Sequence, residues 1–161
     1  MDVRLATLDD AEPIRRIYNL EVTTSTATFD LVPRSLEDQE LWLAAHAGAH
    51  PAIAAVEGED VVGFGSLSPY RDRPAYATTV EDSVYVQRDR RGQGLGRLLL
   101  AELLALATTH GFHSVIGRIV GGHEASIALH RRCGFEQAGV EREVGRKFGS
   151  WLDVVLMQKL L

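Results

Sequence analysis

Glycines set among arginines, just ahead of the most regular amphipathic stretch of the chain, restrict the fold more than any other feature. The segment is Gln87-Arg88-Asp89-Arg90-Arg91-Gly92-Gln93-Gly94-Leu95-Gly96-Arg97. It follows a β-type run, Ala75 to Val86, and leads into Leu95 to His110, where Leu98, Leu99, Leu103, Leu106 and Ala107 share one helical face. Gly111 ends that helix. A strand that turns through glycines into a buried helix belongs to a layered fold of sheet and helices. Small residues there let backbone N–H groups converge at the helix N-terminus, whose dipole favours an anion. Arg88, Arg90, Arg91 and Arg97 concentrate positive charge in a chain of net charge −5. A ligand carrying a pyrophosphate suits this chemistry. The segment is not a dinucleotide fingerprint, because Arg97 follows Gly96 and the third glycine is displaced. It is not a nucleotide P-loop either, because no Gly-Lys-Ser/Thr closes it. The plain alternative is a solvated basic loop.

The remaining pattern supplies the other elements. Val3 to Ala6 reads as a strand, and Thr7 or Asp9 caps a helix carrying Ile14, Ile17 and Tyr18. Ser25 to Phe29 reads as a loop. Pro33 and Ser35 open a second helix through Leu36, Leu41, Trp42 and Leu43. Ile53 to Val56 and Val61 to Leu67 form a hairpin about Gly58-Glu59-Asp60. Ser114 to Ile119 is a strand, Glu124 to Cys133 a helix, and Phe135 to Val144 and Trp151 to Leu160 are two closing strands. The order β-α-α-β-β-β-α-β-α-β-β predicts an α/β (α+β) fold: a mixed sheet with helices on both faces.

At 161 residues with 45% hydrophobic composition, one domain over 1–161 is expected. The sole cysteine, Cys133, has no disulfide partner, and no signal peptide or apolar run of about 18 residues is present. A cytoplasmic protein with no membrane partner is the expectation. The histidines lack metal-ligand spacing, so no metal is expected. The negative net charge argues against a nucleic-acid partner.

The pattern Arg91-x-x-Gly94-x-Gly96 after Val84-Tyr85-Val86 resembles the pyrophosphate loop of the GNAT acetyltransferase superfamily. The resemblance runs along nearly the whole chain: Ser25-Thr26-Ala27-Thr28-Phe29, Tyr70 to Tyr76, Thr79 to Val86, Ala125 to His130 and Gly145 to Val154 are similar to the phosphinothricin acetyltransferases and their relatives acting on methionine sulfoximine and methionine sulfone. It implies a GNAT-type, mostly antiparallel sheet of about seven strands, acetyl-CoA as co-substrate and a small amino-acid-like substrate. Carried over by position, Val84, Tyr85 and Val86 pair with the pantetheine arm. Arg91, Gly92, Gln93, Gly94, Leu95, Gly96 and Arg97 hold the pyrophosphate. Ser126 belongs to the same cofactor site, and so does His123, although the family often has Asn there. Glu81 and His130 are the acid/base residues, and Phe29, Arg71, Arg73 and Tyr76 surround the substrate. Thr78 stands where Trp is common. Relatives of this branch also pair, so a homodimer is expected.

The chemistry asks for the same groups. An α-amine has a pKa of about 7.7–8.0, so much of it is protonated at neutral pH and cannot attack. A general base is then worth about 10²–10⁴-fold in rate. Glu81, mid-strand and partly desolvated, suits that task; its other reading is a surface residue or a partner for Arg73. Asp82 points to the opposite face unless a bulge intervenes. A bulge near Val84 or Tyr85 is expected to free an N–H for the carbonyl oxygen. His130 accepts the amine proton or protonates the departing thiolate. Arg71 and Arg73 are candidate forks for a substrate carboxylate. Direct transfer in a ternary complex is favoured over an acyl-Cys133 route. The competing readings are a GNAT acting on a protein N-terminus or polyamine, and a non-catalytic acyl-CoA-binding module.

Overall fold

A computed structural model describes residues 1–161. The strands are β1 (Asp2–Leu5), β2 (Ala52–Glu57), β3 (Asp60–Pro69), β4 (Thr79–Val86), β5 (Ser114–Val120), β6 (Glu136–Lys147) and β7 (Ser150–Leu160). The helices are α1 (Ala11–Thr24), α2 (Leu36–Ala45), α3 (Leu95–Thr109) and α4 (Glu124–Arg132). The strands form one 7-stranded sheet in the order β1-β2-β3-β4-β5-β7-β6. Only β4 and β5 pair in parallel; every other neighbour is antiparallel. No helix is long and apolar enough to cross a membrane.

Each face of the sheet is covered, as the binary pattern demands. On one face α3 buries Leu95, Leu99, Leu100, Leu103 and Ala107 against Val62, Leu67, Val80 and Val115. Leu99, Leu100 and Leu103 are 0% exposed, each worth about 1.5–3 kcal/mol of burial. On the other face Ile14, Tyr18 and Val22 of α1 and Leu43 of α2 pack on Ala52, Ala54 and Phe64. α2 starts where Ser35 accepts from the Asp38 N–H and Asp38 reaches back, a capping box.

Local chemistry moves some expected boundaries. The run from Ala75 becomes strand only at Thr79, because Pro74 opens a short 3-10 turn, Pro74–Tyr76. β6 is longer than its apolar pattern suggests, since it borrows regularity from β7; its pairing slips between Glu141 and Gly145, beside Glu143 at φ 52°.

Candidate active site

The site opens where the sheet comes apart. β4 and β5 stay in register only from Thr79↔Ser114 to Asp82↔Gly117. β4 then continues to Val86 and β5 to Val120 without pairing to each other. β3 covers the other edge of β4 from Val80 to Val86. The β5-side backbone groups of Ser83 to Val86 therefore have no strand partner. No bulge interrupts β4: the β3–β4 register is continuous, and divergence rather than the expected bulge exposes this edge. An extended amide-bearing chain fits such an edge as an added strand.

A cavity of about 620 Å³ fills the split, and its walls include Val84, Tyr85 and Val86. Arg91, Gly92, Gly94, Leu95 and Gly96 form its floor, and His123, Ser126 and His130 its α4 side. The loop is shaped for close approach. Gly94 caps α3 at φ 86°, a left-handed conformation that favours glycine, and open space surrounds its missing side chain. A Cβ on Gly96 would meet Leu129 of α4 at 3.1 Å. Gln93 and Arg97 lie outside the walls; Gln93 donates instead to the Asp89 carbonyl at 3.4 Å.

The loop has less free positive charge than the letters suggest. Glu21 of α1, 4% exposed, takes Arg88 Nε at 3.0 Å and Arg91 Nη2 at 2.9 Å on the same oxygen. Arg90 pairs with Glu57 at 2.6 Å. Burial pushes the Glu21 carboxyl up, but hydrogen bonds from Arg88 and Ser25 and the arginine charges outweigh it and hold it low. The backbone N–H groups and the helix dipole are thus the part of the loop left free to face an anion. The sequence places Glu21 on the first helix but gives no sign of its arginine partners, since Arg88 lies 67 residues away.

His130 and Glu81 stand on opposite faces of β4. His130 is 4% exposed, and each ring nitrogen meets an acceptor: Nδ1 the Ser126 carbonyl at 2.8 Å, Nε2 the Asp82 Oδ1 at 2.9 Å. Both nitrogens so placed require a doubly protonated ring or a proton shared with Asp82. Burial alone lowers the His130 pKa; the Asp82 hydrogen bond and charge and the Ser126 carbonyl reverse this and raise it. Asp82 Oδ2 is buried without a partner. Gly117 makes room, since a Cβ there would lie 2.8 Å from the His130 ring.

Glu81 shares its face with Ser83 and Tyr85. Its side chain is 30% exposed, and its neighbour is Arg118 Nε at 3.9 Å, not Arg73. Burial raises the Glu81 pKa, Arg118 pulls it back and Asp82 raises it. Arg118 lines the cavity and donates to Glu141 at 2.9 Å.

The expected substrate residues are not gathered on these walls. Arg71 and Arg73 are exposed on the loop after β3, with the Arg71 guanidinium 4.9 Å from the Tyr70 ring and 5.8 Å from the Tyr76 ring. The tip of the Phe29 ring abuts β6 at Gly145, where any side chain would collide with it. His123 meets Thr26 Oγ1 at 2.8 Å, tying α4 to the Ser25–Phe29 loop. Cys133 is partly buried, and burial raises its thiol pKa above the ordinary value despite Arg97 nearby. No cluster of acidic, histidine or cysteine side chains has a metal-holding arrangement.

Comparison with known proteins agrees with this geometry. Residues 14–135 match the Acetyltransferase (GNAT) family. An L-methionine sulfoximine/L-methionine sulfone acetyltransferase of Pseudomonas paraeruginosa is 40% identical over 97% of this chain and 92% of its own. A GNAT superfamily phosphinothricin acetyltransferase from Sinorhizobium meliloti, solved in complex with AcCoA, superposes with TM-score 0.96 at 38% identity, covering 99% of this chain and 88% of that one. A ribosomal-protein-alanine N-acetyltransferase from Brucella melitensis gives TM-score 0.97 at 40% identity over 100% of both chains. The split strands, the glycine cradle and these matches together make the chain a member of the Acetyltransferase (GNAT) family, an N-acetyltransferase whose co-substrate is acetyl-CoA.

Proposed function

We propose that this enzyme acetylates the α-amine of a small amino-acid analogue of the phosphinothricin, methionine sulfoximine or methionine sulfone type, by direct transfer within a ternary complex. The observation that carries the reading is Glu81 at the closed end of the β4–β5 split, where its pKa is raised above the ordinary carboxylate range by burial. Acetyl-CoA supplies the activated acetyl group, held by the β4 edge at Val84 to Val86 and by the loop from Arg91 to Arg97, with His123 and Ser126 alongside. Glu81 takes a proton from the ammonium, leaving a neutral amine to form the C–N bond as the C–S bond breaks. An N–H on the open β4 edge faces the carbonyl oxygen as it gains charge. His130, sharing a proton with Asp82 on the opposite face, supplies the proton that the departing sulfur needs; the second proton of the acetylated nitrogen passes to solvent, and solvent restores His130. Phe29, Arg71, Arg73 and Tyr76 form the substrate side.

Around that site we assign one acetyltransferase domain to residues 1–161, a cytoplasmic setting and a homodimer. Exposed Val144, Phe148 and Trp151 on the β6–β7 hairpin support pairing, which size-exclusion chromatography with light scattering checks.

The test is free-thiol release from acetyl-CoA with each of the three amino acids and with an alanine-starting peptide. Rapid release with a small amino acid and none with the peptide is expected. The Brucella neighbour favours the second reading, acetylation of a protein N-terminus, and the reverse result would establish it. Glu81→Gln should lower kcat by about 10²–10⁴-fold with the KM for acetyl-CoA retained. An unchanged kcat removes Glu81 as the base.

A further inference from the structure

Three strands bring two carboxylates and one guanidinium together beside the cleft. Glu81 on β4 is level with Ile116 of β5, and Arg118 stands two residues further along that strand on the same face. Across β7, Arg118 is level with Leu156, while Glu141 of β6 is level with Val154. β5 and β6 are separated by β7, so about 10 Å lies between them, a span that a long arginine side chain covers. Arg118 does so: Nη2 reaches Glu141 Oε1 at 2.9 Å, and Nε remains 3.9 Å from Glu81 Oε1.

The arrangement is asymmetric in a useful way. The bond to Glu141 is a full hydrogen-bonded ion pair, whereas the approach to Glu81 is longer than a hydrogen bond. Glu81 thus feels the positive charge while both its oxygens stay free of that guanidinium. All three groups are about one-third exposed and sheltered from full solvent screening, and of the three Arg118 lines the cavity. The surroundings contain no other cation paired with Glu81. On its own strand stands Asp82, an added negative charge. On the β3 side the cross-strand residue is Ser68, whose hydroxyl meets His46, the residue that ends α2, at 3.0 Å. On the β5 side stand Ile116 and Arg118, and beyond β7 stands Glu141.

We propose that Arg118, tethered by Glu141, is a positioning residue that holds the Glu81 carboxylate in place and in its ionised form at the closed end of the β4–β5 split. The inference rests on the reading of Glu81 as the amine's base. A partly buried carboxylate next to a second carboxylate is pushed toward its protonated form, and a protonated Glu81 accepts nothing from an ammonium. The guanidinium offsets both influences without consuming the oxygen lone pairs. Glu141 is needed because an untethered arginine would swing to Glu81 and close a hydrogen bond on the base itself.

The experiment is the pH profile of kcat/KM for thiol release with the best amino-acid substrate, in the wild type and in Glu81→Gln, Arg118→Met, Arg118→Lys and Glu141→Gln. The substrate amine's own ionisation is common to all five and cancels on comparison. Arg118→Met should move the acid limb up by about one pH unit, so activity below the limb falls about tenfold while the alkaline plateau is largely kept. Arg118→Lys should recover part of the shift. Glu141→Gln frees the guanidinium to close on Glu81 and should move the limb the other way, down, by less than Arg118→Met moves it up. Glu81→Gln should abolish the enzyme's contribution to the limb. An Arg118→Met limb that coincides with the wild type, with Glu81→Gln still abolishing it, overturns the proposal and keeps the base. A limb unmoved in Glu81→Gln overturns the base and the proposal with it. Should Arg118→Met not fold, Glu141→Gln and Arg118→Lys decide: two profiles superposed on the wild type overturn the proposal.

Discussion

On the α3–α4 face of the sheet, 15 buried residues close almost entirely through apolar contacts, with the Asp82–His130 pair as a polar inclusion; on the α1–α2 face, 10 buried residues share their space with arginines, tyrosines and carboxylates. There the Arg34 guanidinium lies 3.8 Å above the Tyr18 ring and 5.1 Å from the Trp42 ring. The Tyr18 hydroxyl meets Thr28 at 2.9 Å and also Asp30; burial first, then the Asp30 bond, push its pKa up to about 12. Glu21 grips two arginines of the glycine loop, and Lys147, 4% exposed, donates to the Thr28 carbonyl at 2.9 Å. The difference teaches where rigidity comes from. Apolar burial is non-directional, so α3 needs only matching size to make a firm cradle for a constant ligand. The polar face depends on the angle and partner of each group, so substitutions there act through specific hydrogen bonds and ion pairs.

The contrast can be broken most forcefully at its exception. Asp82→Ala leaves His130 without its buried counter-charge and should cost about 3–5 kcal/mol at pH 6, measured by urea denaturation. The pH dependence has a definite sign. His130 has its folded pKa raised by Asp82, so the pair's stabilisation is fully present below the unfolded value near ~6.5 and fades as pH rises through the folded value. The deficit of Asp82→Ala should therefore narrow in alkali; a deficit independent of pH would show that the charge is not its source. Next, Leu103→Ala at 0% exposure should cost about 2–5 kcal/mol by the same measurement. Leu43→Ala on the opposite face, at 8% exposure near the rim, should fall at the low end, about 2 kcal/mol. A larger loss at Leu43 than at Leu103 would erase the distinction between the faces. The smallest effect belongs to the α2 cap: Ser35→Ala should cost about 1 kcal/mol in stability and leave the KM for acetyl-CoA where it is.

Legibility follows the same division. The cradle was readable because it is contiguous: Val86, Gly94 and Leu99 lie on one short stretch, and the period of the leucines announces both the helix and its buried face. All seven strands and four helices were anticipated in order, with errors at the ends. Pro74 was available as a signal against an early start to β4. The partners of the two candidate acid/base residues were not readable. Asp82 and His130 are 48 residues apart, and neither letter points to the other. Arg73, near Glu81 in sequence, stood as its natural partner, yet its loop leaves the sheet and Arg118 arrives from the parallel strand instead.

The sequence by itself determined the layered fold, the position of the glycine cradle and the helix that presents it. These need only local periodicity and backbone freedom, which are written along the chain. The tertiary structure alone decided that β4 parts from β5 after Asp82, that three of the loop arginines are already engaged by carboxylates, and which cation stands beside Glu81. Register and charge pairing depend on which strands become neighbours, and that is a property of the whole assembled sheet.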